Sequence, residues 1–191
     1  MAMACTALAG VSIECVHGTT SLAVCAFEDA YQLAMASGKT PKVCLLTNPH
    51  NPLGIVYKEE DLREVLLWAM KKKLHLVSDE IYVNSIYEAA VEEEFVSMMD
   101  LSLDVLGTEE EDEKGKANEY VRDYVHTVFG FSKDFCCSGL RIGCLHTENK
   151  ALITAWNGKF KGKAKHNKAF AHSSSHLIRI QFKKEEKTCK N

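Results

Sequence analysis

Three short stretches of this chain hold the residues whose types and spacing could do chemistry. The first is NPHNPLG at positions 48–54, with Asn51 at its middle. The second is SDEIY at 78–82, which sets the carboxylate of Asp79 three residues from the phenol of Tyr82. The third is the polar run 130–138, GFSKDFCCS, which carries Ser132 and Lys133 and is followed by Arg141. Lys133 could be a catalytic amine or an ordinary solvated cation. Taken singly, the other motifs also have everyday explanations. Asparagine, proline and glycine punctuate turns everywhere, and an aspartate after a strand often caps a helix.

The elements around these stretches decide whether they can meet. Residues 11–16 suit a short strand. Residues 21–37 read as a helix with the apolar stripe Leu22, Ala26, Ala30, Leu33 and Met35, capped by Thr20 or Ser21 and stopped by Gly38. The apolar run 42–47 reads as a strand buried on both faces of a parallel sheet. Residues 58–73 form a helix with acids at its start and lysines at its end, in the order the helix dipole favours. Leu62, Val65, Leu66 and Met70 make its buried stripe. Strands follow over 74–78, 124–129 and 140–145, and the acidic stretch 107–118 reads as a solvated loop. Helices alternating with apolar strands predict an α/β fold, a three-layer sandwich around a mostly parallel sheet. In such sheets ligands sit at the carboxyl ends of strands. All three chemistry-bearing stretches follow strands.

Bulk properties narrow the class. The chain has 191 residues, 46% hydrophobic and 26% charged, as in ordinary globular proteins. No apolar run reaches the roughly 18 residues that a membrane span needs, and residues 1–11 lack the basic start of a signal peptide. The eight cysteines show no CxxC pair and several lie in apolar strands, which predicts reduced thiols in the cytoplasm. Charge splits sharply. Residues 1–149 carry 12 Lys/Arg against 24 Asp/Glu, a balance of −12, and residues 150–191 carry 11 against 2, a balance of +9. That places a boundary near Lys150, with an irregular basic tail beyond it.

Read together and in order, NPHNPLG, SDEIY and FSKDFCCSGLRIG resemble the fold type I pyridoxal-phosphate enzymes of the class I/II aminotransferase family. Within that family they look most like the animal 1-aminocyclopropane-1-carboxylate synthase-like branch. The resemblance covers about residues 10–149 and implies part of the large, cofactor-binding domain of a dimeric enzyme acting on an amino-acid substrate. It implies that Lys133 joins the aldehyde of pyridoxal 5'-phosphate through its amine. It implies that Asp79 pairs with the ring nitrogen, that Asn51 and Tyr82 hydrogen-bond the ring's 3-oxygen, and that Arg141 grips the phosphate as a planar fork, with Ser132 as a further phosphate contact. One position departs from the pattern: Gly130 stands where most relatives place a phosphate-binding serine. The family's upstream segment, with its phosphate loop, ring-stacking aromatic and dimer-spanning tyrosine, finds no match before Val11. Its small C-terminal domain, with the carboxylate-binding arginine, finds none after Lys150. The expectation is therefore a transaminase or synthase-like lyase represented incompletely. The alternative is an inactive fragment acting only through binding or dimerisation with fuller subunits.

The remaining features carry less. The basic tail with Trp156, Phe160 and Phe170 could bind nucleic acid or an acidic membrane, but the family's motif pattern stops abruptly there instead of ending at a linker, which favours sequence unrelated to the family, so neither partner is expected. His166, His172 and His176 fit no metal-ligand spacing and have no carboxylate among them. Cys136 and Cys137 read as small filler under the lysine loop, and His126 as a core or sheet-face residue.

Overall fold

A computed structural model describes residues 6–8, 11–13, 22–87, 94–108, 111–140, 142–160 and 177–181. In chain order the elements are β1 (Thr6–Leu8), β2 (Val11–Ile13), α1 (Val24–Ala36), β3 (Val43–Thr47), α2 (Glu59–Lys72) and β4 (His75–Asp79). Then come α3 (Met98–Thr108), α4 (Glu111–Tyr124), β5 (Val125–Gly130), the short α5 (Phe131–Asp134), β6 (Ile142–His146), α6 (Lys150–Phe160) and β7 (Leu177–Gln181). Among the described residues the strands form one seven-stranded sheet in the order β2-β1-β3-β4-β5-β6-β7. At its centre β3, β4 and β5 run parallel. The outer pairings are antiparallel, so β1 and β6 oppose the direction shared by the other five. The fold is α/β with a mixed sheet whose strands mostly run one way.

One apolar core joins the sheet to the helices. Phe27 and Ala30 of α1, Leu62, Val65, Leu66 and Ala69 of α2, Met98, Leu101 and Val105 of α3, and Tyr120 and Val121 of α4 meet Cys44, Leu46, Leu76 and Val125 of the sheet. At about 25 cal/mol per Å² of apolar area, such a shared cluster is the main force holding the layer in place. Two polar ties reinforce it. The Tyr120 hydroxyl donates to the Leu74 carbonyl at 2.7 Å in a buried setting. The Glu28 carboxylate of α1 accepts from Trp68 Nε1 (2.8 Å) and Lys72 Nζ (2.9 Å) of α2.

Several expectations change. Helix α1 starts at Val24 with Ala23 at its N-cap and no side-chain cap bond from that residue, and Thr20 and Ser21 lie outside the described residues. Its buried positions are Phe27, Ala30 and Ala34, while Leu33 is 62% exposed, because α2 lies against the face that carries the aromatic ring. Strand β3 buries Cys44 and Leu46 but leaves Val43 42% and Leu45 37% exposed, since the core helices pack against the opposite face. The acidic stretch expected as a loop is helical through α3 to Thr108 and again from Glu111. Tyr120 and Val121 anchor the far end of α4 in the core. The tail, expected irregular, holds α6 and also β7, which pairs with β6 in the sheet. His166, His172 and His176 lie outside the described residues.

Candidate functional site

The three motifs converge at the carboxyl ends of the three parallel strands. Thr47 of β3 pairs with Asp79 of β4, and Asp79 with Val128 of β5. The ladder then runs one residue further on each side, with Asn48 N–H donating to Asp79 O (3.1 Å) and Glu80 N–H to Val128 O (2.9 Å). The start of each loop is thus held by main-chain bonds to its neighbour.

The 48–54 loop is tied internally. Asn48 is buried, and its side-chain oxygen accepts from Tyr57 N–H at 3.1 Å. His50 is also buried, and its Nδ1 accepts from Leu53 N–H at 3.2 Å. Gly54 closes the turn with φ +68° and donates its N–H to the His50 carbonyl (2.8 Å), a backbone conformation that glycine adopts without steric cost. Those bonds leave Asn51 exposed at the loop tip. Asn51 and Tyr82 together line a cavity of about 310 Å³, walled on its apolar side by Pro49, Pro52, Val56 and Ile86.

Asp79 is half-buried, and its carboxylate accepts the Ile81 N–H at 3.3 Å. Burial pushes the Asp79 carboxyl above its ordinary pKa, against the Ile81 hydrogen bond that favours the charged form. Lys133 lies one turn into α5 and is exposed, its Nζ 5.0 Å from the centroid of the Tyr82 ring. That is within cation–π range. The neighbouring residues add a second tie, as Asn84 Nδ2 donates to Asp134 Oδ2 at 2.9 Å. Ser132 is half-buried, and its carbonyl accepts from the Ser138 hydroxyl at 3.3 Å. Arg141 lies outside the described residues. Tyr82 therefore meets Asn51 across the cavity and Lys133 across the ring, with Asp79 three residues before it at the strand end.

Cys136 is not buried filler. It is exposed, with φ +51°, and Cys137 donates its Sγ–H to the Phe135 carbonyl at 3.0 Å. His126 is buried in the sheet as expected, with Nε2 2.9 Å from His75 Nδ1 and Nδ1 2.7 Å from Thr147 Oγ1.

Two residues of the loops escaped the sequence reading. His50 reads as a turn residue in sequence but is buried against Tyr57. Glu80, given no role of its own in the sequence, is only 6% exposed. Its Oε1 accepts from Ser78 Oγ (3.0 Å) and Met98 N–H (3.0 Å), and the Ser97 hydroxyl reaches both carboxylate oxygens, at 3.1 and 3.0 Å. Burial raises the Glu80 carboxyl above its ordinary pKa, against these hydrogen bonds. A serine two residues before the acid was the available signal, but the α3 donors lie 17 and 18 residues downstream.

Known proteins are similar to this chain in sequence and in fold. The family model described as aminotransferase class I and II matches residues 4–181. The human 1-aminocyclopropane-1-carboxylate synthase-like protein 1 is 37% identical over 128 residues, which is 67% of this chain and 22% of that protein. The Arabidopsis thaliana 1-aminocyclopropane-1-carboxylate synthase 11 is 31% identical over 150 residues, 76% of this chain and 29% of the relative. Among solved structures, a Thermus thermophilus aspartate aminotransferase variant superposes with a TM-score of 0.56 at 25% identity, over 78% of this chain and 33% of that one. The chain thus spans less than a third of the length of these two relatives. Among the described residues no helix is long and apolar enough to cross a membrane. The chain belongs to the class I and II aminotransferase family, whose cofactor is pyridoxal phosphate.

Proposed function

We propose that this chain carries the cofactor-holding part of a pyridoxal-phosphate-dependent enzyme that transforms an amino acid, by transamination or by a synthase-like elimination, with Lys133 as its covalent anchor. The observation that carries this reading is the placement of the Lys133 amine over the ring of Tyr82, three residues after Asp79, where three adjacent parallel strands end. The residues fit the group. Asp79 is a half-buried carboxylate whose pKa is raised and which has no ion pair among the described residues, so a protonated ring nitrogen would supply the missing cation. Bound there, pyridoxal phosphate supplies an electron sink for charge developing at a substrate α-carbon.

The chain's own residues have separable tasks. Asp79 would hold a proton on the ring nitrogen. Asn51 and Tyr82, which both line the cavity, would donate hydrogen bonds to the ring's 3-oxygen. The Lys133 amine, once released from the cofactor, would take and return the substrate's α-proton. Ser132 and Arg141 would hold the phosphate, with Gly130 contributing no hydroxyl. That missing bond should weaken cofactor affinity by about 1 kcal/mol. All of these residues lie within positions 1–149, the segment we assign to the cofactor-binding domain. The basic segment 150–191 has no cofactor role in this reading, and the enzyme works as a homodimer.

A second reading is an inactive product that acts by pairing with fuller subunits. The exposed Val43 and Leu45 on the open face of β3 favour it. The test is to add pyridoxal phosphate to the purified chain, record the visible absorbance of lysine-linked cofactor, and trap it with borohydride for peptide mapping. Labelling at Lys133, lost in Lys133→Ala, is expected. A folded chain that shows no such band would overturn the proposal. A band without turnover of any amino acid would select the second reading.

A further inference from the structure

We infer that Glu80 is a positioning residue, a buried clamp that holds the Asp79–Tyr82 segment against helix α3 and so fixes both cofactor-facing side chains. The inference rests on the cofactor reading above. Glu80 sits between the two residues it serves, one after Asp79 and two before Tyr82. Its main chain is engaged on both sides, with its N–H donating to Val128 O of β5 (2.9 Å) and its carbonyl accepting from Val83 N–H (3.1 Å). Its side chain points the other way, into the start of α3. There Met98 N–H and the Ser97 hydroxyl bind the carboxylate, and Ser78 Oγ closes the set from β4.

An anion at this point satisfies an α3 main-chain donor that has no intrahelical partner and faces the positive end of the helix dipole. The residue just before the helix caps it in the ordinary way, Ser97 Oγ accepting from Met99 N–H at 3.3 Å. The capping carboxylate on Met98 N–H comes instead from a loop 18 residues away in sequence, so this second cap and the loop hold each other. Without Glu80 the 80–85 turn would keep its main-chain bonds, the Ile81 N–H bond to Asp79 and the exposed Asn84–Asp134 bond, but no buried side-chain tie among these. With Glu80 anchored, Tyr82 is held where its ring meets Lys133 and where Asn84 reaches Asp134.

The test compares Glu80→Ala and Glu80→Gln by hydrogen–deuterium exchange without cofactor and by absorbance titration with pyridoxal phosphate. Losing bonds to a buried charge should speed amide exchange in the 81–85 and 97–100 segments of Glu80→Ala about tenfold or more and raise the cofactor dissociation constant by about the same factor. Exchange in α1 and α2 should match the wild type. Glu80→Gln keeps an acceptor for Met98 N–H and should recover most of both effects. If Glu80→Ala does not fold, Ser97→Ala removes the two-oxygen contact together with the Ser97 cap on Met99 N–H; faster exchange in the 81–85 segment, which that cap does not touch, is then the expected sign of the clamp. Faster exchange confined to α3, with the 81–85 segment unchanged, would reduce Glu80 to a helix cap and overturn the inference. Unchanged cofactor affinity in a variant with a loosened 81–85 segment would overturn it as well. A wild-type chain that takes up no cofactor would sink the proposed function instead, while the exchange comparison would still decide whether Glu80 holds the loop.

Discussion

Acid should destabilise this protein through one buried imidazole. His126 is 2% exposed and shares hydrogen bonds with His75 and Thr147. The Thr147 hydroxyl oxygen also accepts from Asn149 N–H at 3.2 Å. Burial, and then the charge on His75, hold the His126 pKa down from 6.5 to about 4. The unfolded chain therefore takes a proton near pH 6.5 and the folded chain only near pH 4. Between those values the unfolded state binds more protons, so stability is full above 6.5 and is lost as pH falls through about 4. At about 1.4 kcal/mol for each pH unit, the gap is worth about 3 kcal/mol, most of it gone by pH 4.5. Asp79 and Glu80 work in the other direction, because their raised folded-state pKa values make the folded chain take up protons first. Asp123 opposes the lowering of the His75 pKa, whose larger cause is burial. A variant removes these backgrounds by subtraction. Urea unfolding of the wild type and His126→Gln at pH 4.5, 5.5, 6.5 and 7.5 isolates the imidazole. Relative to its own value at pH 7.5, the wild type should lose about 2 to 3 kcal/mol more than the variant by pH 4.5. Parallel stability curves for the two proteins would refute the assignment, as would a wild type that gains on the variant in acid.

Two further outcomes test the core. Tyr120→Phe removes the buried hydroxyl that binds the Leu74 carbonyl and should cost about 1 to 2 kcal/mol in urea unfolding; a change within a few tenths would show that the bond adds nothing net. Burial pushes the Cys44 thiol up to about 12. At pH 8, iodoacetamide should therefore label the exposed Cys25 and Cys136 of the folded chain well before Cys44, read by mass spectrometry. Labelling of Cys44 as fast as Cys136 would contradict its burial in β3.

Local pattern was enough to place β2, α1, β3, α2, β4, β5 and β6 in order and to set the three loops after strands. Period-2 and period-3.6 apolar spacing and the acid-to-base order of α2 are written along the chain itself. Lys133, Asp79, Asn51 and Tyr82 could be singled out because their three motifs, taken in order, resemble the family's. What folding decided were the pairings between distant segments. The side of α1 that is buried depends on where Trp68 of α2 sits, so Phe27 and Ala34 are inside and Leu33 is outside. The acidic stretch became helix because its far end, Tyr120 and Val121, has a core to bury in, a gain that charge counting along the sequence misses. Strand β7 and the hydrogen-bonded pair His75–His126 exist only through partners far along the chain. Glu80 is the sharpest case. As residue 80 of a sequence it is one more acid beside Asp79, and only the approach of Ser97 and Met98 makes it a buried clamp. Spacing along the chain specifies which residues can share a face of one element, but contacts between elements depend on the packing that minimises exposed apolar surface over the whole fold.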